Sequence, residues 1–237
     1  MVRALAEGLL SMLKSRYRYV FAILVLGAIA MGATPPYFDL RVEMPSSSEV
    51  KLFTPNLVFG EYQASDADSP FVRDLFETLF ENPTCARFLN FLVTPNRDTS
   101  LSLLKSALDS RVKSPRQAYA LPVRLKGSPQ VMGHGVLAQR QNQPAVGEVG
   151  WGVIPAQQGH QYGLEIAAAL VAFSFGTLGL EQVVASIHPE NEASISIARK
   201  LGFVEDPERA YVKKTWVGES PRLYFFITRE VYQRYQP

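Results

Sequence analysis

Residues 185–203 constrain this chain more than any other stretch, because the backbone must change state repeatedly within them: Ala-Ser-Ile-His-Pro-Glu-Asn-Glu-Ala-Ser-Ile-Ser-Ile-Ala-Arg-Lys-Leu-Gly-Phe. Residues 182–187, with Val183, Val184 and Ile187, predict a strand that is ended by Pro189. Asn191 then opens a helix, since its side-chain oxygen accepts from a first-turn N–H that lacks an intrahelical partner. Ala193, Ile197, Ala198 and Leu201 recur at helical spacing and give that helix a buried face. Gly202 stops it, because glycine tolerates a left-handed exit. A strand that passes directly into a helix points to an α/β layer architecture.

A second strand–loop–helix unit lies upstream. Residues 147–155 (Gly-Glu-Val-Gly-Trp-Gly-Val-Ile-Pro) predict a strand, residues 158–163 (Gln-Gly-His-Gln-Tyr-Gly) a glycine-bearing loop, and residues 164–178 a helix. Backbone N–H groups at a helix N-terminus, together with the positive end of the macrodipole, form a ready anion site. Alternation along the strand places Glu148, Gly150 and Gly152 on one face and Val149, Trp151 and Val153 on the other.

The remaining elements are marked more coarsely. Residues 51–62 predict the opening strand, after a linker at Pro45-Ser-Ser-Ser48. Asp66 or Ser69-Pro70 starts a helix that runs to Phe80 and is broken by Asn82-Pro83. Asp98 caps a second helix with an apolar stripe of Leu101, Leu104, Leu108 and Val112. Residues 117–125 and 131–139 form a hairpin, and Asn142-Gln-Pro144 turns into the strand at Gly147. Strands at 203–205 and 222–228 complete the chain. A length of 237 residues with 47% hydrophobic and 19% charged residues suits one domain with a real core plus an extension. Of the formal +2 charge, an excess of three lies in residues 1–18, so the remainder is at −1 and carries no basic stripe for nucleic acid. Cys85 alone excludes an intramolecular disulfide, and the spacing of His134 and His188 predicts no metal site.

Pro189-Glu-Asn-x-x-Ser194, followed by Lys200-x-Gly-Phe203, resembles the C-terminal motif of the GNAT superfamily of acetyl-CoA-dependent N-acetyltransferases. It is most similar to the branch of ribosomal-protein-alanine and small-amine acetyltransferases. The resemblance covers residues 51–233 and implies the GNAT fold: a mixed, twisted sheet with helices on both faces. It implies acetyl-CoA as co-substrate, a primary amine on a protein N-terminus or small molecule as acceptor, direct transfer, and no metal. The loop resembles the family's Gln/Arg-x-x-Gly-x-Gly/Ala pyrophosphate cradle. Gln158 and Gly163 match its first and last positions, while Gln161 stands in place of glycine. That departure predicts an altered loop or weaker phosphate approach, because a Cβ restricts the backbone. The resemblance assigns cofactor contact to the backbone of Val153 and Ile154, to Gln158, Gly159, His160, Gln161, Tyr162 and Gly163, and to Asn191. It makes Ser194 the proton source for the departing thiolate, and Glu148 is placed to accept the amine's proton. A rival reading is a catalytically silent acyl-CoA-binding module on the same fold.

Residues 19–33 are apolar without interruption and follow a basic stretch. They fall short of the ~20 residues usual for a membrane span. A signal peptide, a membrane anchor and an appendage are all consistent with the pattern. The appendage is preferred, because export would separate the domain from cytosolic acetyl-CoA. The expected organisation is therefore an extension over 1–48 and a catalytic domain over 49–237, cytoplasmic, monomeric or homodimeric.

Overall fold

The computed structural model describes residues 40–46, 49–89, 96–215 and 218–234. The apolar segment at 19–33 lies outside the described residues, as do residues 90–95. No helix among the described residues is long and apolar enough to cross a membrane.

Ten strands form one sheet in the order β1-β2-β3-β4-β5-β6-β7-β10-β8, with β9 paired to β10. They are β1 Arg41–Ser46, β2 Glu49–Phe53, β3 Leu57–Phe59, β4 Ala118–Leu125, β5 Val131–Arg140, β6 Gln143–Val153, β7 Gln182–Ile187, β8 Val204–Glu205, β9 Tyr211–Thr215 and β10 Gly218–Thr228. Every pairing is antiparallel except β6 with β7. The helices are α1 Pro70–Leu75, continued by a wider turn over Phe76–Phe80, then α2 Pro83–Ala86, α3 Arg97–Arg111, α4 Tyr162–Gly176, α5 Glu192–Lys200 and α6 Arg229–Gln233.

Several boundaries differ from expectation for local physical reasons. The opening strand is split in two, because the Thr54 hydroxyl and backbone close a turn onto Leu57 that reverses the chain between β2 and β3. The sheet begins earlier than the predicted boundary at 48: β1 pairs with β2 from Arg41↔Phe53 onward, and the expected linker overlaps its end. Asn96 rather than Asp98 caps α3, accepting from the Thr99 N–H at 3.1 Å. Asn82-Pro83 starts the short α2 instead of merely breaking α1, with the Asn82 side chain accepting from Thr84. The apolar stripe of α3 is only partly used. Leu104 is buried, whereas Val112 lies past the helix and is 80% exposed.

Helix α4 is buried around almost its whole circumference, from Leu164 through Phe175, as a helix apolar on every side must be. It lies against β5 and β6. A Cβ on Gly133 would stand 2.8 Å from the Gly152 carbonyl oxygen and 3.1 Å from Ile166, so only glycine permits this approach. On the opposite face, Gly152 makes room for Leu79, which would be 2.8 Å from an added Cβ. Helix α1 thus packs on one side of β6 and α4 on the other. Both meet at the strand that borders β7.

Candidate active site

The β6–β7 junction is the only parallel contact among the described strands, and it is short. It holds at Val146↔Gln182, Gly147↔Val183 and Glu148↔Val184, and no further. Strand β6 continues to Val153 against β5 without a break from Gln139↔Gly147 to Gly133↔Val153, and β7 continues to Ile187 against β10. Two strands that keep their outer partners but lose each other must part. The result is a narrow cleft of about 40 Å³, lined on one wall by Val149, Gly150 and Trp151 and on the other by Ser186, Asn191 and Ser194.

Glu148 sits at the apex, the last residue paired to β7. Its carboxylate accepts from the Ser186 hydroxyl at 2.9 Å and from Arg140 at 3.1 Å. With about a quarter of its side chain exposed, it is held rather than loosely solvated. Neither Ser186 nor Arg140 carries a motif in the sequence. Only the register of β5, β6 and β7 brings them to Glu148.

Helix α5 turns its N-terminus toward the cleft, and α4 begins beside the end of β6, where Gly163 lies near Val153 and Trp151. Asn191 caps α5, its Oδ1 accepting from the Ser194 N–H at 3.1 Å, so the predicted cap is present and Asn191 and Ser194 both line the opening. Helix α4 begins differently. Gln161 adopts φ 64°, the left-handed conformation, and provides no side-chain cap. It is the one non-glycine residue with positive φ among the described residues. Gln161 therefore adopts a backbone conformation suited to glycine despite its Cβ. Left-handed geometry costs an L-residue ~1–2 kcal/mol. Gly159 shares the positive φ, at 84°. His160 is exposed, its ring tilted 44° to that of Tyr162 at 5.7 Å between centroids. Gly163 is pressed against α5, with Ile197 3.2 Å from where a Cβ would stand.

Gln158 donates from Nε2 to the Val153 carbonyl at 3.1 Å and so ties the loop to the end of β6. The Ile154 N–H donates to the Met132 carbonyl at 3.0 Å. Strand N–H groups alternate in direction, so those of Trp151 and Val153 face the opposite edge, where β7 has diverged. An acid in the first turn of α4, Glu165, would repel a phosphate, but it is turned away. It accepts from the Thr54 hydroxyl and from the backbone and side chain of Asn56.

The cleft's third wall comes from Phe88 and Leu89, whose carbonyls accept from the buried Arg222 at 3.1 and 3.2 Å. Burial lowers the pKa of Arg222, with Tyr211 and Glu148 opposing that shift. Burial likewise lowers Lys213, countered by Glu148 and reinforced by Arg222. The surroundings of Glu148 are thus rich in cations. Among the described residues no group of three or more His, Cys, Asp or Glu could hold a metal ion.

A diverging parallel strand pair, with a glycine-bearing loop leading into a helix beside it, defines an acyl-CoA acyltransferase architecture. The family model for the acetyltransferase (GNAT) domain matches residues 57–204, and the chain belongs to that family. The Bacillus subtilis (strain 168) protein named "Uncharacterized N-acetyltransferase YnaD" is 29% identical over 86 residues, 36% of this chain and 50% of that protein. The match to the similarly named YoaA of the same strain is 29% over 75 residues and spans 41% of it, so the chain covers half or less of these curated relatives. Among solved structures, spermidine N-acetyltransferase from Vibrio cholerae, in complex with CoA and spermine, is similar at a TM-score of 0.60 and 15% identity, over 76% of this chain and 99% of that one. Ribosomal-protein-S5-alanine acetyltransferase from Vibrio fischeri is similar at 0.59 and 16%, over 79% and 99%. At these identities the likeness is one of fold.

Proposed function

We propose that this protein transfers the acetyl group of acetyl-CoA directly to a primary amine. The divergence of β6 from β7 beyond Glu148↔Val184 carries the proposal, because it opens the backbone edge of β6 to one narrow space lined by Ser194, with Glu148 where the strands part. The N–H groups of Trp151 and Val153 are disposed to meet the co-substrate along β6. The loop from Gln158 to Gly163 and the uncapped start of α4 suit its pyrophosphate, and Asn191 borders its thioester arm. Glu148 accepts the proton lost by the attacking amine as the new C–N bond forms. Ser194 supplies a proton to the sulfur as the C–S bond breaks. Arg140 and Ser186 position the Glu148 carboxylate.

The charge around Glu148 favours one kind of acceptor. With Arg140 in contact and Lys213 and Arg222 close enough to sense the carboxylate, a polyamine would meet net repulsion. A protein N-terminus or an amino-acid-like amine brings one positive charge and adjacent carbonyl groups, and fits better. The cytosol, where acetyl-CoA is made, is the corresponding location.

Thiol release from acetyl-CoA across a panel of N-terminal peptides, amino acids and polyamines tests the proposal. Turnover should be highest with peptides or amino acids and low with spermidine. Glu148→Gln should reduce kcat/KM by ~10²–10⁴-fold, the usual weight of a general base. Saturating CoA should raise the melting temperature, as any ligand specific to the native state must. Stabilisation by CoA without turnover on any amine would favour the silent binding module.

A further inference from the structure

A second cavity lies outside the cleft, between α3 and the face of β4 and β5, with a volume of about 240 Å³. The sequence builds it from small residues where large ones would close the gap: Ala107 and Ser110 on α3 face Ala118 and Ala120 on β4. The helix does not sink into this space, because it is held at both ends. The Ser100 hydroxyl donates to Glu81 at 2.7 Å near the N-terminus, and Arg111 donates to the Tyr62 carbonyl at 2.5 Å near the C-terminus. Ser110 adds a bond to the Ala118 carbonyl at 3.3 Å.

The lining has a definite chemistry. Leu104, Phe76 and Phe80 supply apolar and aromatic faces, and no Asp, Glu, Lys or Arg is among the described lining residues. Among its polar side chains, Tyr62 and His134 are the paired ones, only 3% and 2% exposed, with Tyr62 Oη 3.0 Å from His134 Nδ1. Burial pushes His134 down to about 3, so the imidazole is neutral at physiological pH. A phenol both donates and accepts, so Tyr62 can engage His134 and a ligand together. Ser106 at the rim is exposed, which gives the cavity a way to solvent. Apolar cavities of ~150 Å³ already admit a benzene-sized molecule.

We propose that this cavity binds a small, neutral, ring-bearing molecule that makes one hydrogen bond to the Tyr62–His134 pair. No Asp, Glu, Lys or Arg lines it, so an ion of the same shape would lose its hydration without gaining an ion-pair partner. The volume suits a bicyclic ring of indole size. The site is separate from the acetyl-transfer cleft and does not depend on the proposed reaction.

Calorimetry and thermal shift on the full chain, with indole as probe and indole-3-acetate and phenyltrimethylammonium as charged comparators, test it. Indole should bind saturably at millimolar or lower concentration, at least tenfold more tightly than either comparator, and equally well with CoA saturating. Ala107→Leu should weaken indole at least tenfold without lowering the melting temperature of the free protein. Ala120→Val provides the same test if the first variant does not fold. Tyr62→Phe should weaken indole by about three- to tenfold while leaving toluene unchanged. Absence of saturable indole binding, binding unaltered by the cavity-filling changes, or loss of binding when CoA is present would each overturn the proposal.

Discussion

The N-termini of α4 and α5 are built in opposite ways. Helix α5 is capped by its own sequence, the Asn191 side chain accepting from the Ser194 N–H. Helix α4 begins at a left-handed Gln161 without a side-chain cap, while its first-turn acid Glu165 is bonded to the β2–β3 turn. The first arrangement secures a side chain, Ser194, at a defined place. The second leaves backbone dipoles to be completed from outside. In the proposed function, the capped terminus positions the proton donor and the uncapped one receives the pyrophosphate.

Substitutions at each terminus can break that division of labour. The largest effect is expected from Ser194→Ala, which should lower kcat by at least about tenfold while leaving acetyl-CoA affinity nearly unchanged, because general acid catalysis is typically worth ~10²–10⁴-fold and water substitutes in part. A fall in affinity equal to the fall in kcat would move Ser194 from proton transfer to binding. Next, Gln161→Asp sets a carboxylate beside the start of α4 and should raise the KM for acetyl-CoA about tenfold with kcat retained at saturation. Unchanged KM would mean that the phosphates lie elsewhere.

Asn191→Ala should destabilise the fold by about 1 kcal/mol through the lost cap, read as a lower melting temperature, and also raise the KM for acetyl-CoA. Equal, small effects of Ser194→Ala and Asn191→Ala would leave the start of α5 with a purely structural role. The smallest change is expected from Gln161→Gly, which relieves left-handed strain and should stabilise the protein by about 0.5–1 kcal/mol in denaturant titrations, with CoA binding preserved. Destabilisation by that substitution would show that the Gln161 side chain has contacts more valuable than the relief.

The region from 147 to 203 was the most legible part of the chain. The strand over 182–187, the Asn191 cap, the Gly202 stop, and the loop leading into α4 occur where the residues place them, since each follows from local chemistry of cap, turn and helix exit. The N-terminal part was less legible. Thr54-Pro-Asn is a turn whose purpose emerges only from its bonds to Glu165, which is more than a hundred residues away. The cap of α3 is Asn96 and not Asp98, two nearby polar residues with similar capping chemistry that local sequence does not distinguish.

The sequence alone determined the order of elements from the hairpin at 117 to the strand at 204, the residues that begin and end helix α5, and the family to which the chain belongs, because these depend on neighbours along the backbone. The tertiary structure decided what no spacing encodes. It ended the β6–β7 pairing at Glu148, brought Arg140 and Ser186 to that carboxylate, engaged the Ile154 N–H with Met132, and left a cavity where Ala107 and Ala120 face each other. Each of these rests on strand register and layer packing between segments distant in the chain. Hydrogen-bond pairing across a sheet and the volume between a helix and a strand are properties of two partners together, and neither partner's sequence specifies them by itself.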